Sequence, residues 1–178
     1  IDLEAATRRG VLVVNAPDGN TIAATEHTIA MMLAMARNIP QAVGKMKDGI
    51  WDKKAFLGVE LRGKVLGILG LGRIGSSVAR RAQALEMEIV AYDPYITEEK
   101  AASLAVELVS TEDLYRRSDF ITIHMPKTKD SYHMINHNSL SIMKKGVSII
   151  NCARGGIIDE EALYRAMVEG KVAGAALD

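Results

Sequence analysis

Cysteine is nearly missing from this sequence. The single thiol, Cys152, rules out an intrachain disulfide framework and suits a reducing compartment such as the cytoplasm. Charge of one sign is missing too: 22 Lys and Arg stand against 22 Asp and Glu, with no basic run. Nucleic acid and anionic membranes are therefore not expected as partners. No apolar run approaches the roughly 20 residues needed to cross a bilayer, and no signal-peptide pattern opens the chain. Repeats and low-complexity segments are absent. The four histidines have no companions at metal-ligand spacing, so no metal site is expected. What remains is a 178-residue chain, 48% apolar, long enough for one good-sized core.

That core is organised around one stretch. Residues 64–69 form an apolar run that reads as a buried strand. It ends in Gly70-Leu71-Gly72-Arg73-Ile74-Gly75, and a helical pattern follows through Ile74, Val78, Ala82 and Leu85. Strand, glycine turn and helix together make a dinucleotide-binding hypothesis. Gly70 serves the tight turn, Gly72 the approach of a pyrophosphate, and Gly75 the close packing of helix on strand. The helix N-terminus offers unpaired N–H groups to the same anion. The next strand, residues 88–93, ends in Asp93, eighteen residues past Gly75. A carboxylate there accepts hydrogen bonds from a ribose diol and repels a 2′-phosphate, which favours NAD over NADP.

Taken in order, the chain starts inside a helix-like stretch without an initiator Met and stops just after a strand, so a fragment of a longer protein is expected. Val11-Leu12-Val13-Val14 reads as a short buried strand. Thr21 or Thr25 caps a long helix that runs to about Asn38. Its apolar residues spread over more than one side, which suits either a core helix or a connector and subunit interface. Residues 41–51 read as a second helical piece. After Asp93 helix and strand alternate: a helix capped by Thr97, a strand at 106–109, a helix capped by Ser110 or Thr111, and a strand at 120–124. A helix capped by Asn138 and stopped by Gly146 comes next, then a strand at 147–150, a helix opened by Asp159, and a last strand at 172–177. Regular alternation predicts an α/β fold of Rossmann type, a doubly wound parallel sheet with helices on both faces. Ligands on such a sheet bind at the carboxyl ends of the strands. These ends are residues 69–72, Asp93, His124-Met125-Pro126, residues 151–154 and Asp178.

Asn151-Cys152-Ala153-Arg154-Gly155-Gly156 closes a buried strand beside the expected crevice. Arg154 is placed either to grip a carboxylate bidentately or to pair with a neighbouring acid and shape the loop. Cys152 reads as packing or, with no histidine suggested nearby, less readily as a nucleophile. His124 ends a strand where it can line the cofactor site.

These motifs, with Tyr92-Asp93-Pro94 and the closing Ala175-Ala176-Leu177-Asp178, resemble the D-2-hydroxyacid dehydrogenase family. Residues 46–51 and 56–61 are similar to the branch that turns D-3-phosphoglycerate into 3-phosphonooxypyruvate for serine biosynthesis. The resemblance implies an NAD-dependent oxidoreductase of two Rossmann-like domains, with residues 1–17 the tail of a substrate domain and 18–178 the NAD-binding domain with its crossover helix. It implies pyrophosphate contacts from Arg73 and Ile74 and a ribose contact from Asp93. The nicotinamide half would fall to Met125, Cys152, Ala153 and Arg154, with Asp178 near the carboxamide. Arg154 becomes the catalytic arginine that holds the substrate carboxylate. The family's acid/base His and its orienting Glu follow the Ala-Leu-Asp strand, and its substrate-selecting loops precede Ile1. The partners implied are a small 2-hydroxy acid and a second copy of the chain, in a dimer or larger homo-oligomer built through the helix at 21–39. Nothing within the chain separates phosphoglycerate from glyoxylate, hydroxypyruvate or D-lactate as substrate. Some relatives of the fold are NAD-responsive interaction proteins instead.

Overall fold

Alternate residues of the central strand face opposite ways, and each face finds its own partners. In β1 (Val65–Leu69), Leu66 and Ile68 join one buried cluster while Leu69 joins another. Ile89 and Ala91 of β2 (Glu88–Tyr92) side with the first cluster, Val90 with the second. The same division runs through β4 (Phe120–Ile123) and β5 (Val147–Asn151). A sheet whose strands turn apolar residues to both faces has to be covered on both.

The computed structural model describes residues 1–16 and 18–178. With β3 (Glu107–Leu108) and β6 (Val172–Leu177), the six strands lie in the order β3-β2-β1-β4-β5-β6, all parallel. The chain runs outward from β1 through β2 to β3, then returns to lay β4 on the other side of β1. The strand order reverses between β1 and β4, where their carboxyl ends open a crevice. After a short exposed α1 (Leu3–Arg8), one face is covered by α2 (Thr21–Ala36), α4 (Arg73–Ala84) and α5 (Glu98–Ser103). The other is covered by α6 (Thr111–Arg117), α7 (His137–Ile142) and α8 (Glu160–Val168).

α2 lies in the core against α4 and over β5 and β6, burying Thr25, Thr28, Met32 and Ala36. The two buried hydroxyls donate to the carbonyls of Thr21 and Ala24 at 2.7 and 2.8 Å, so neither is left unsatisfied. On another side, Met35 lies where a Cβ on Gly174 would come within 3.0 Å of its sulfur. The small residues of β6 therefore let this helix settle close on the sheet.

Several local expectations change. Residues 11–14 pair with no strand, and Val11, Leu12 and Val14 are exposed; a strand needs a neighbouring ladder, and none of the six strands offers them one. Neither Thr21 nor Thr25 is the N-cap of α2; Asn20 holds that position, without a side-chain bond. The second helical piece, α3, spans Ile39–Lys47 rather than 41–51. Pro40 is tolerated in its first turn, where no N–H is needed, and Gly49, at φ +73°, follows its end. Asn38 at φ +53° turns the chain from α2 into α3. The cap of α7 is Asn136, not Asn138: its side chain accepts from the N–H groups of Asn138 and Ser139, and Ser139 Oγ accepts from the Asn136 N–H at 2.8 Å. This reciprocal pair outcompetes a cap two residues later. The helix therefore ends at Ile142, and Gly146 serves the turn into β5 instead of stopping it. Pro17, the expected domain boundary, lies outside the described residues.

Candidate functional site

The site grows from the end of β1. Gly70 takes φ +95°, and a side chain there would press on the carbonyl of His124. A Cβ on Gly75 would run into the Gly70 carbonyl, which is how closely α4 packs on the turn. Gly72 differs from both. Its φ is −67° and a Cβ would meet nothing within 4 Å. Neither backbone strain nor the chain's own packing calls for glycine at 72, and the open space beside it leaves a cradle that a ligand could enter. Gly72 is also the N-cap of α4, with no capping side chain and no acid in the first turn. A dinucleotide's pyrophosphate fits this cradle.

Asp93 is tied to the same turn. Its Oδ2 accepts the Leu71 N–H at 2.7 Å and its Oδ1 accepts the Tyr95 N–H at 2.9 Å. Each carboxylate oxygen keeps a second lone pair for a ligand. Between Asp93 and the loop after β4 lies a cleft of about 220 Å³, lined by Gly70, Gly72, Tyr92, Asp93, Tyr95, His124, Met125, Pro126, Thr128, Ser131 and Met134 among others. Its far wall is held by a local knot: the Thr128 N–H donates to Ser131 Oγ at 2.7 Å, and that hydroxyl donates to the Pro126 carbonyl at 2.7 Å. His124 sits at the back of the cleft, its Nε2 2.9 Å from Thr122 Oγ1. Burial pushes its pKa down to about 4, so it is a neutral ring at physiological pH.

The loop after β5 carries the second group. Asn151 is buried and locks the loop from inside, donating from Nδ2 to the Arg154 carbonyl and accepting the Ala153 N–H, both at 3.0 Å. The Arg154 side chain is exposed and donates only to the Ala153 carbonyl. No carboxylate pairs with it among the described residues, in contrast to Arg73, Arg117 and Arg165. A fixed backbone presenting a guanidinium without a carboxylate partner could receive an anion. Cys152 lies 3.5 Å from the Met31 sulfur, and burial raises its thiol pKa. That is a packed thiol, not an activated nucleophile.

Asp178 donates its N–H to the Asn151 carbonyl, extending the β5–β6 ladder, and its carboxylate lies 3.9 Å from His27 Nε2 of α2. The fold thus collects Gly70, Gly72, Asp93, His124, Met125 and Pro126 at one cleft. Arg73, Ile74 and Gly75 lie in the first turn of α4, and Cys152, Ala153, Arg154 and Asp178 lie at the ends of β5 and β6. Sequence reading missed Thr128, Ser131 and Met134, although the Thr-x-x-Ser spacing was a usable signal for a reciprocal turn. It also missed Asp18, whose Oδ1 accepts from Arg73 Nε at 3.0 Å. No cluster of three His, Cys, Asp or Glu side chains suited to a metal occurs among the described residues. No helix described is long and apolar enough to cross a membrane.

Residues 29–178 match the family model "D-isomer specific 2-hydroxyacid dehydrogenase, NAD binding domain". The whole chain aligns at 54% identity with 34% of the D-3-phosphoglycerate dehydrogenase of Archaeoglobus fulgidus. The chain thus spans about a third of the length of the curated relatives it matches. Among solved structures, the apo D-lactate dehydrogenase of Escherichia coli superposes with a TM-score of 0.92 at 34% identity, over 100% of this chain and 56% of that one. The Aquifex aeolicus D-lactate dehydrogenase, solved with NAD and lactic acid, gives 0.86 at 37% identity, over 100% of this chain and 54% of that one.

Proposed function

This chain belongs to the D-isomer specific 2-hydroxyacid dehydrogenases, as their NAD-binding domain, and on that footing we propose that the full-length protein oxidises D-3-phosphoglycerate to 3-phosphonooxypyruvate. The observation that carries the cofactor reading is the bond from the Leu71 N–H to Asp93, which fixes a carboxylate against an uncapped glycine turn. In this reading the backbone of Gly70, Gly72, Arg73, Ile74 and Gly75 holds the pyrophosphate, and Asp93 takes the adenosine ribose. His124, Met125 and Pro126 wall the cleft, while Cys152, Ala153 and Asp178 border the nicotinamide. NAD supplies the hydride acceptor when bound. Arg154 grips the substrate carboxylate and thereby orients its C2 toward the crevice. The proton on the C2 hydroxyl is taken by a group outside this sequence.

The choice of D-3-phosphoglycerate rests on relatives about 54% identical, against 34–37% for the lactate enzymes. Residues 1–17 are then the tail of a substrate domain, and residues 18–178 are the NAD-binding domain. Exposed Ile22, Ile39, Val43 and Met46 on α2 and α3 are the surface through which a homodimer would form. The free Cys152 suits a cytoplasmic enzyme.

The test is direct. The full-length protein should bind NADH much more tightly than NADPH, and should oxidise D-3-phosphoglycerate with the highest kcat/KM among D-3-phosphoglycerate, D-lactate and glycolate. Preference for either of the last two moves it to another branch. NADH binding with no turnover of any of them makes it an NAD-responsive interaction protein.

A further inference from the structure

Arg73 opens α4 inside the glycine turn, yet its guanidinium is already engaged. Nε donates to Asp18 Oδ1 at 3.0 Å, and among the described residues no other carboxylate pairs with it. Asp18 is far away in sequence. It belongs to the turn before α2, and its carbonyl accepts the Thr21 N–H at 3.2 Å, which anchors it to the start of that helix. α5, α6 and α8 each carry two acids in their own first turn, whereas α4 carries none. The acid at this mouth is delivered instead by tertiary structure, onto the one cation expected to meet the cofactor's pyrophosphate.

We propose that Asp18 competes with the dinucleotide's pyrophosphate for Arg73, holding the guanidinium until the cofactor arrives and setting the cofactor's affinity below what the mouth could otherwise reach. The proposal rests on the NAD-binding reading above. Binding replaces one anionic partner of Arg73 by another, so part of the new attraction is offset by the old pair. The benefit is release: a cofactor that leaves more readily does not hold back turnover where product release is slow. The side chains are 62% and 82% exposed, so the effect is that of a solvated ion pair. Removing the acid should tighten NADH binding about two- to fivefold.

The experiment is NADH titration of the full-length protein, followed by fluorescence, for the wild type, Asp18→Asn, Asp18→Glu, Arg73→Ala and the double variant Asp18→Asn/Arg73→Ala. Asp18→Asn should bind NADH more tightly than wild type at low salt, with the gain shrinking as salt screens the pair. Structural damage does not produce a gain. Asp18→Glu should stay near wild type. In the Arg73→Ala background the Asp18→Asn gain should vanish, because the competition acts through the guanidinium. Unchanged or weaker binding by Asp18→Asn overturns the proposal. So does an equal gain in the Arg73→Ala background, which would make Asp18 a plain repulsive charge. A wild type that binds no NADH removes the cofactor reading, and the competition with it.

Discussion

The two halves of the crevice are built differently. On the β1–β2 side the polar groups are bound to one another: Leu71 and Tyr95 to Asp93, and the Gly70 N–H to the Tyr92 carbonyl. On the β5–β6 side the backbone is locked by Asn151, but among the described residues the guanidinium of Arg154 has only its neighbour's carbonyl, and the Asp178 carboxylate has only a distant histidine. The first half is finished within the chain. The second presents charge outward and is finished by what meets it. Substitutions in the first half should therefore cost stability as well as binding, and those in the second should cost function alone.

Arg154→Ala is the sharpest break. If Arg154 grips the substrate carboxylate as proposed, kcat/KM of the full-length protein should fall about a thousandfold, roughly 4 kcal/mol of transition-state stabilisation, with the loss of a charge-assisted bidentate contact. Tm should stay within about a degree, because an exposed side chain with no carboxylate partner supports little. A matching loss of Tm would abolish the distinction between the halves.

His124, at the end of β4 between the two halves, tests the buried back of the cleft through pH. Its folded pKa, near 4, lies below the 6.5 of the unfolded chain, so between those values the unfolded state binds more protons. Stability should rise with pH through that window, and as pH falls from 6.5 toward 4 this one group withdraws up to about 3 kcal/mol. His124→Gln should flatten the slope of unfolding free energy between pH 4 and 6.5, measured by urea denaturation, and leave it unchanged above 7. Asp93→Ala should do both kinds of harm. Losing an acceptor for two N–H groups should lower stability by about 2 kcal/mol, and NADH binding should weaken at least tenfold. Asp93→Asn, which keeps one acceptor oxygen, should recover part of the stability and less of the binding.

The smallest effect is a control outside both halves. Ala105 sits at φ +52°, is exposed, and bonds only through its backbone. Ala105→Gly should stabilise by about 0.5 kcal/mol in thermal unfolding, with cofactor affinity untouched.

The contrast also explains what could be read from the sequence. The glycine turn, Asp93 and the alternation after Lys64 are local patterns, and each strand there announces its own burial. Arg154 could be read because a charged residue after an apolar strand has few structural uses. Residues 11–14 look like any other apolar run, yet their fate depends on a ladder that no strand here provides. The pairing of Asp18 with Arg73 leaves no trace in either neighbourhood, since it exists only once α2 has packed on α4. The choice of Asn136 over Asn138 turned on Ser139, a residue that reads equally well as helix surface.

α2 shares the core of β1 and α4 through Met32 and Ala36, and it rests on β6 through Met35. It therefore moves with the sheet as one body and cannot bend away from it without opening that core. Asp18, whose carbonyl accepts the N–H of Thr21 at the start of that helix, travels with the same body. The charge pair between Asp18 and Arg73 therefore spans two points of one body, and its length is set by how α2 packs on α4.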